Sequence, residues 1–537
     1  MSVFLQPLVK SEPYNITLRL ALADTYQTLR YPDLAAGEAY KALLLVDEVC
    51  DESGEYHELA FEAARQAIAT QIESTGEELK RDGVTSETTD EEVSLWAEGP
   101  FSEASYTALI ANLAACGCLR SASELYAQMM KKHPHLSRDD LRRALVDIGV
   151  QALPESGLVR RELYPWNDHE PDRFAEETLN FLNEWMQDAG PKLEVRATAL
   201  PVLSPNASGS SESSVTRQFG VFAKDELKPG ETVLLETSLL TANSRLHGDF
   251  CDACSATLPS IANAPTSSID SRTNTVCCDE CDDAVFCSQS CLEMAQETYH
   301  PAVCGRDISA IARDVPPVEV ADALYSLLLL RAMAMSETQD IHPLDVKEVK
   351  YLWGDFCSRS PWDIFNQDST NAHGSLPRAL PFSFKYQILM PLNMLEKMDV
   401  NIFDNGGRFD TWVLNTLYSK FRGTASARQG HDGRPDVSAV HPLWSLANHS
   451  CDPHGTWEWE GKMKFWVKPE RAQWLGKPVG DKRQAGVQKG KEVMNHYCDV
   501  DLDVRERREW AAGALGGVCK CERCLWEEQH YTLEGST

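Results

Sequence analysis

The residues best able to do chemistry in this chain are cysteines and histidines at short, repeated spacings. Cys519-Lys520-Cys521-Glu522-Arg523-Cys524 has the C-x-C-x2-C spacing of three ligands on one zinc, and tetrahedral Zn²⁺ takes a fourth. Cys451, in the run His441–His454 (HPLWSLANHSCDPH), can supply it and would pin the tail of the chain beside Asn448 and His449. A second group reads Cys251-x2-Cys254, Cys278-x2-Cys281, Cys287-x3-Cys291 and His300-x3-Cys304. Eight thiolate and imidazole ligands in this order suffice for two closed tetrahedral sites, with Cys277 an alternative to Cys278. Closed ligand sets point to structural metal rather than to a zinc hydrolase, and no H-E-x-x-H accompanies them.

Charge and composition narrow the partners. The 537 residues carry 51 Lys+Arg against 81 Asp+Glu, a formal net charge of −30. A field of that sign repels phosphate backbones and attracts basic partners, so direct nucleic-acid binding is not expected and a lysine-bearing, basic protein is. Hydrophobic content of 43% and charged content of 25% are those of a globular protein with ample core. Met1–Val9 has no basic n-region, and Ala321–Met335 is too short an apolar run to span a bilayer, so no membrane partner is expected. Seventeen cysteines at zinc-like spacings then read as metal sites in a reducing compartment, nucleus or cytoplasm.

The elements that must position these ligands alternate in type. Residues 1–200 read as helical. Leu22, Ala23, Tyr26, Ala35, Ala39 and Ala42, with Pro32-Asp33 at a turn, and then Tyr106, Leu109, Leu113, Ala122 and Tyr126 follow spacings like those of tetratricopeptide helix pairs, or of a plainer helical bundle. A Ser-rich linker, 201–214, follows. Arg217–Ala223 and Leu227–Glu236 read as two antiparallel strands around Pro229-Gly230, and Gly455–Val467 as a hairpin turning at Glu460-Gly461. Ile308 to Val440 reads as helical, Glu492–Tyr497 as a strand, and Val504–Ala514 as a helix. The fold class expected is multidomain α+β. No Walker A or dinucleotide-binding glycine fingerprint appears.

Asn448-His449-Ser450-Cys451-Asp452-Pro453 resembles the signature of the SET family of protein lysine methyltransferases, and Cys519–Cys524 resembles that family's post-SET zinc site. Cys251–Cys304 resembles a MYND finger, whose ligand pairs interleave. That likeness implies one ion on Cys251, Cys254, Cys287 and Cys291, and another on Cys278, Cys281, His300 and Cys304. With Cys451, Cys519, Cys521 and Cys524, the chain would hold about three zinc ions. Glu492–Asp499, followed by Arg505–Arg508, is similar to the family's second signature, which implies that Tyr497 is catalytic. The same resemblance implies S-adenosylmethionine held by Gly220, Phe222, Asn448, His449 and Tyr497.

The layout so implied is a TPR-like helical region (1–200) and a β-rich SET domain split between 215–250 and 441–503. The MYND finger (251–304) and a helical insert (305–440) interrupt it, and a post-SET tail (504–537) closes the chain. The implied function is S-adenosylmethionine-dependent methylation of a lysine on a histone or another basic protein. An inactive SET/MYND scaffold, binding peptides through its helices and finger, is the alternative. Three departures bear on the choice: Gln218-Phe219-Gly220 replaces Gly-x-Gly, His454 replaces an asparagine, and Leu515-Gly516-Gly517 replaces Tyr-Gly-Phe. Trp510 or Trp526 would then wall the lysine channel, and Thr424 would stand for an asparagine that touches the cofactor.

Overall fold

The computed structural model describes all residues except 1, 76–87, 135–152, 161–162, 202, 204–214, 244–248, 260–274, 282, 309–314, 317, 354–378, 431–434, 475, 477–484, 516 and 535–537. Most of the Ser-rich linker and of the glycine-rich loop 476–490, with Gly516, therefore lie outside the described residues. The chain is mixed α and β with several small sheets, and it divides into two compact units. The first comprises Met1–Arg160 and Ala379–Asn415, the second Arg161–Arg378 and Thr416–Thr537. No helix among the described residues is long and apolar enough to cross a membrane.

The first unit is mainly helical. Helix α1 spans Ser2–Ser11, α2 Ile16–Thr28 and α3 Pro32–Cys50. Asn15 caps α2 by accepting the Leu18 N–H at 3.1 Å, and Pro32 opens α3, where its missing N–H leaves no bond unmade. Ala35, Ala36, Ala39 and Ala42 are fully buried along α3, small enough to let its neighbours approach closely. Helices α4 (His57–Thr75) and α5 (Asp90–Trp96) follow. Then α6 (Ser102–Ala115) and α7 (Leu119–Lys132) form a second helix pair around Gly117, whose φ of +85° suits glycine. Leu109, Leu113 and Ala122 are buried, while Tyr106 and Tyr126 are half-buried.

Residues 1–200 are not all helical as expected. Strand β1 (Ser156–Arg160) pairs antiparallel with a strand at Ala379–Ser383, inside the stretch read as a helical insert. In the second unit, α8 (Glu176–Ala189) leads into β2 (Leu193–Pro201). Strand β2 pairs antiparallel with β3 (Val215–Ala223), from Leu193 opposite Ala223 to Pro201 opposite Val215. This pairing spans the expected linker at 201–214, so the strand preceding it belongs with the strand following it. The alternation Leu193-Glu194-Val195-Arg196 buries its apolar members, a period-two signal obscured by the helical text around it.

Nor do the two strands read as one hairpin pair with each other. Strand β3 takes β2, and β4 (Thr232–Glu236) takes the far strand of the Gly455–Val467 hairpin. Strand β5 (Thr241–Asn243) joins β9 (Ala425–Gln429) and β10 (Pro435–Val440) in the order β5-β10-β9; the short strands β6 (Val276–Cys277) and β7 (Val285–Phe286) pair with each other, and β8 (Ala379–Ser383) is the partner of β1. The expected hairpin is present as β11 (Gly455–Trp459) and β12 (Met463–Val467), turning at Gly461 with φ +72°. Leu182 and Met186 of α8 pack with Val195, Phe219, Leu234, Phe465 and Val493 in one core. The expected strand Glu492–Tyr497 makes single bridges, Phe222 to Glu492 and His449 to Asn495, rather than a ladder.

Candidate functional site

All three expected ligand sets are assembled. Cys251, Cys254, Cys287 and Cys291 form one group, Cys278, Cys281, His300 and Cys304 a second, and Cys451, Cys519, Cys521 and Cys524 a third. Within each, the ligand atoms lie within 4.8 Å of one another. A tetrahedron with Zn–S bonds of about 2.3 Å has edges of about 3.8 Å. The sulfur pairs are close to this: Cys254–Cys287 at 3.7 Å, Cys278–Cys304 at 3.8 Å and Cys451–Cys524 at 3.4 Å. Each group is compatible with zinc. The choice between Cys277 and Cys278 falls to Cys278, because Cys277 is exposed on β6.

The finger is built by local turns. Ser288 caps helix α9 (Gln289–Thr298) by accepting the Cys291 N–H at 3.2 Å, which sets that cysteine beside Cys287. His300 reaches Cys281 with Nε2, at 3.7 Å, and burial lowers its pKa, so it is neutral as a metal ligand must be. The buried Arg331, on α10 (Val320–Gln339), stacks over Tyr299 at 3.6 Å and donates to the carbonyls of Leu239 and Asp252. That clamp fastens the finger to the helix.

The third group depends on distant parts of the chain. Glu236 accepts the N–H groups of Leu443 and Trp444 at 3.0 and 2.9 Å, capping the short helical turn Trp444–Leu446 from a neighbouring strand. The chain then delivers Asn448 to Cys451. It is crossed by 492–497: Asn495 N–H donates to Asn448 O at 2.7 Å, and Ser450 N–H to Asn495 O at 2.8 Å. Helices α11 (Val504–Leu515) and α12 (Glu522–Glu534) carry the tail. Arg523 donates to the carbonyls of Cys451 and Val500 at 3.0 and 2.8 Å, and Arg507 approaches Cys524 Sγ at 3.9 Å. A zinc held by four thiolates would carry net negative charge, which these guanidinium groups would offset.

The residues expected to serve the cofactor fall into two adjoining sets. Asn448 Nδ2 donates to Phe219 O at 2.8 Å and to Glu492 Oε1 at 2.6 Å. Gly220 lies in the same corner: a side chain there would collide with the Glu492 carboxylate and come within 3.1 Å of Asn448 Nδ2. Phe222, two residues on in β3, faces Arg196, which lies 5.3 Å from its ring centre. In the second set, His449 Nδ1 accepts the Tyr497 N–H at 3.0 Å, and the two rings are 5.2 Å apart. Burial pushes the His449 pKa down to about 4. A neutral imidazole accepting at Nδ1 has its proton on Nε2, which lies 3.3 Å from Cys451 Sγ. One imidazole thus connects Cys451 to the backbone of Tyr497.

Tyr497 donates its hydroxyl proton to Ala447 O at 3.0 Å, and it lines a cleft of about 880 Å³. Thr424, Trp444, Trp457, His496 and Trp510 share that lining. Gly220, Phe222, Asn448 and His449 do not, so the expected cofactor residues are divided between the cleft and the packed corner behind it. Of the two tryptophans considered for the channel wall, Trp510 is on the cleft. Trp526 instead packs against Trp474 and His530, with centroids 5.7 and 3.8 Å away. His454, in place of the expected asparagine, accepts the Met494 N–H at 3.2 Å with Nδ1.

Sequence reasoning missed Glu492, Asn495 and Cys498. Cys498 lies with His449 and Cys451 inside 4.8 Å, a fifth thiol beside the tetrad. Its place directly after Tyr497 was the available signal. Asn495 is fully buried, and no side-chain partner appears for it among the described residues. No protein-family model matches the chain, and no curated protein matches it.

Proposed function

We propose that the chain is a protein-lysine methyltransferase of SET and MYND type, using S-adenosylmethionine and carrying three structural zinc ions. The observation that carries the reading is the crossing of 447–451 with 492–497. It ties Asn448, His449 and the stretch that carries Cys451 by hydrogen bonds to the segment that carries Tyr497, which lines the cleft. The cleft volume of about 880 Å³ lies within the range of small-molecule sites, roughly 300–1,000 Å³.

S-adenosylmethionine, when bound, would supply a methyl group activated on a sulfonium. Thr424 and Tyr497 are the cleft residues that would meet it, with Asn448 and His449 one layer behind. The chain's own work is positioning. Tyr497, with its hydroxyl proton committed to Ala447 O, presents that oxygen as an acceptor, which suits C–H···O contacts or an amine N–H. A free lysine has a pKa near ~10.4, and an aromatic wall disfavours its ammonium, so the amine would enter neutral after losing its proton to water. Alignment of amine and methyl would provide most of the rate gain.

The net charge of −30 and the presence of Asp499 and Asp501 on the cleft favour a basic protein as substrate. Calorimetric titration of S-adenosylmethionine into zinc-replete protein tests the reading. Micromolar binding that falls at least tenfold in Asn448→Ala is the expected result, and absence of binding by a folded, zinc-loaded protein would sink it. One observation favours the second reading, a non-catalytic SET/MYND scaffold that binds peptides: the Asn448 amide already serves Phe219 and Glu492.

A further inference from the structure

One wall of the cleft is built from paired tryptophans. Trp444 and Trp457 meet at 5.0 Å with their planes 65° apart, presenting two indole surfaces at an angle. Trp457 is held in place: its indole N–H donates to His496 O at 3.4 Å, and its ring stacks on the His496 imidazole at 6.0 Å and 25°. His496 in turn is fixed on both nitrogens, with Nδ1 at 3.2 Å from Cys498 O and Nε2 at 3.2 Å from the Thr456 hydroxyl. Burial lowers its pKa, so the ring it offers is neutral. Tyr497 and the 56% exposed Trp510 complete the aromatic lining.

Aromatic faces attract a cation through their quadrupoles, and the attraction counts most when the cation sheds water easily. An unmodified lysine ammonium has three N–H donors and is strongly hydrated, so an aromatic wall cannot replace what water gave it. Each added methyl removes a donor and adds apolar surface, until an aromatic enclosure is the better solvent. Charge is compatible with this. Asp499 and Asp501 are exposed on the cleft, and of the cations there Arg428 is neutralised by its ion pair with Glu460, which leaves Lys468 against two carboxylates.

From this we infer that the cleft takes a lysine side chain that already bears two or three methyl groups. The inference rests on the reading above only in taking lysine as the ligand; it stands equally for an enzyme that holds methylated lysine and for a scaffold that recognises it. A dimethylated ammonium keeps one N–H, which the Tyr497 oxygen is suited to accept.

The test uses full-length, zinc-replete protein and four probes: Nα-acetyl-lysine amide with zero, one, two or three Nε-methyl groups. Binding is followed by calorimetry and by tryptophan fluorescence, and S-adenosylmethionine is titrated into the same preparations. The expected result is a preference of about tenfold or more for the trimethylated over the unmodified probe, matching one desolvated cation–π contact. Trp457→Ala should abolish the preference and Trp457→Phe retain most of it, the phenyl variant guarding against simple loss of the fold. Equal binding of all four probes, a preference for the unmodified one, or no binding of any would overturn the inference. S-adenosylmethionine binding without discrimination would leave the enzyme reading and remove this one. Discrimination without S-adenosylmethionine binding would do the reverse.

Discussion

The finger and the tail tetrad use the same ligand chemistry, but they are closed by different means. Every finger ligand lies within Cys251–Cys304, on short strands and a capped helix that bring the four-residue groups together locally. The tail tetrad takes Cys451 from beyond the β11–β12 hairpin and holds it by contacts from β4, from the crossing segment 492–497 and from Arg523. A locally closed site reports on itself. A site closed over distance reports on everything that delivers its ligands, which here includes Tyr497.

The largest expected effect separates the two. Cys451→Ser should lower the zinc content from three to two per chain by elemental analysis, destabilise the tail and abolish S-adenosylmethionine binding. Structural zinc contributes on the order of 10 kcal/mol to the folding of such sites. Cys287→Ser should also lose one zinc, yet keep the tail metal and the pocket. If both substitutions abolished cofactor binding alike, the distinction between local and distant closure would be wrong.

Acidity gives a smaller test. Burial pushes Glu236 up to about 7 from an ordinary 4.5, even though two backbone N–H groups favour its charged form. Between pH 4.5 and about 7 the folded protein therefore keeps a proton that the unfolded chain has lost. Stability must fall as pH rises through this window, by about 3 kcal/mol at most. Urea unfolding of Glu236→Gln, compared with the parent at pH 5 and 7.5, should show that slope flattened. An unchanged slope would remove Glu236 from the account.

His449→Ala should have the smallest effect on stability, about 1–2 kcal/mol for the lost bonds. It should nevertheless weaken cofactor binding through the Tyr497 backbone, while all three zinc ions remain. Glutamine at the same position, able to accept from the Tyr497 N–H, should restore part of the binding.

What was legible in the sequence was whatever depends on near neighbours. The zinc-like spacings, the Glu460-Gly461 turn and the helices opening at Val320 and Val504 all follow from residues a few positions apart. Strand partnership was not legible. Gly220 sits in β3 as expected, but β3 pairs with β2, and nothing local to Leu193–Pro201 names its partner. The site shows the same limit. Asn448, His449 and Tyr497 were identifiable by motif, whereas the contacts to Phe219, Glu492 and Ala447 exist only once the crossing has formed. The alternation of 455–467 marks Trp457 only as a hairpin residue, because its place on the cleft depends on residues far along the chain.

The turn at Gly461 carries a mechanical consequence. A side chain there would come within 2.7 Å of Ala256 Cβ and 3.2 Å of Cys254 Sγ, so the tip of the β11–β12 hairpin rests directly on the first cysteine group of the finger. Glu460, beside it, accepts the Thr257 N–H at 2.5 Å. The finger is therefore not a pendant that swings free of the body; it is a strut with one end braced against the hairpin whose other strand bears Trp457. Force applied at the finger has a path of a few residues to the cleft wall. A partner that grips the finger also loads the hairpin that shapes the cleft.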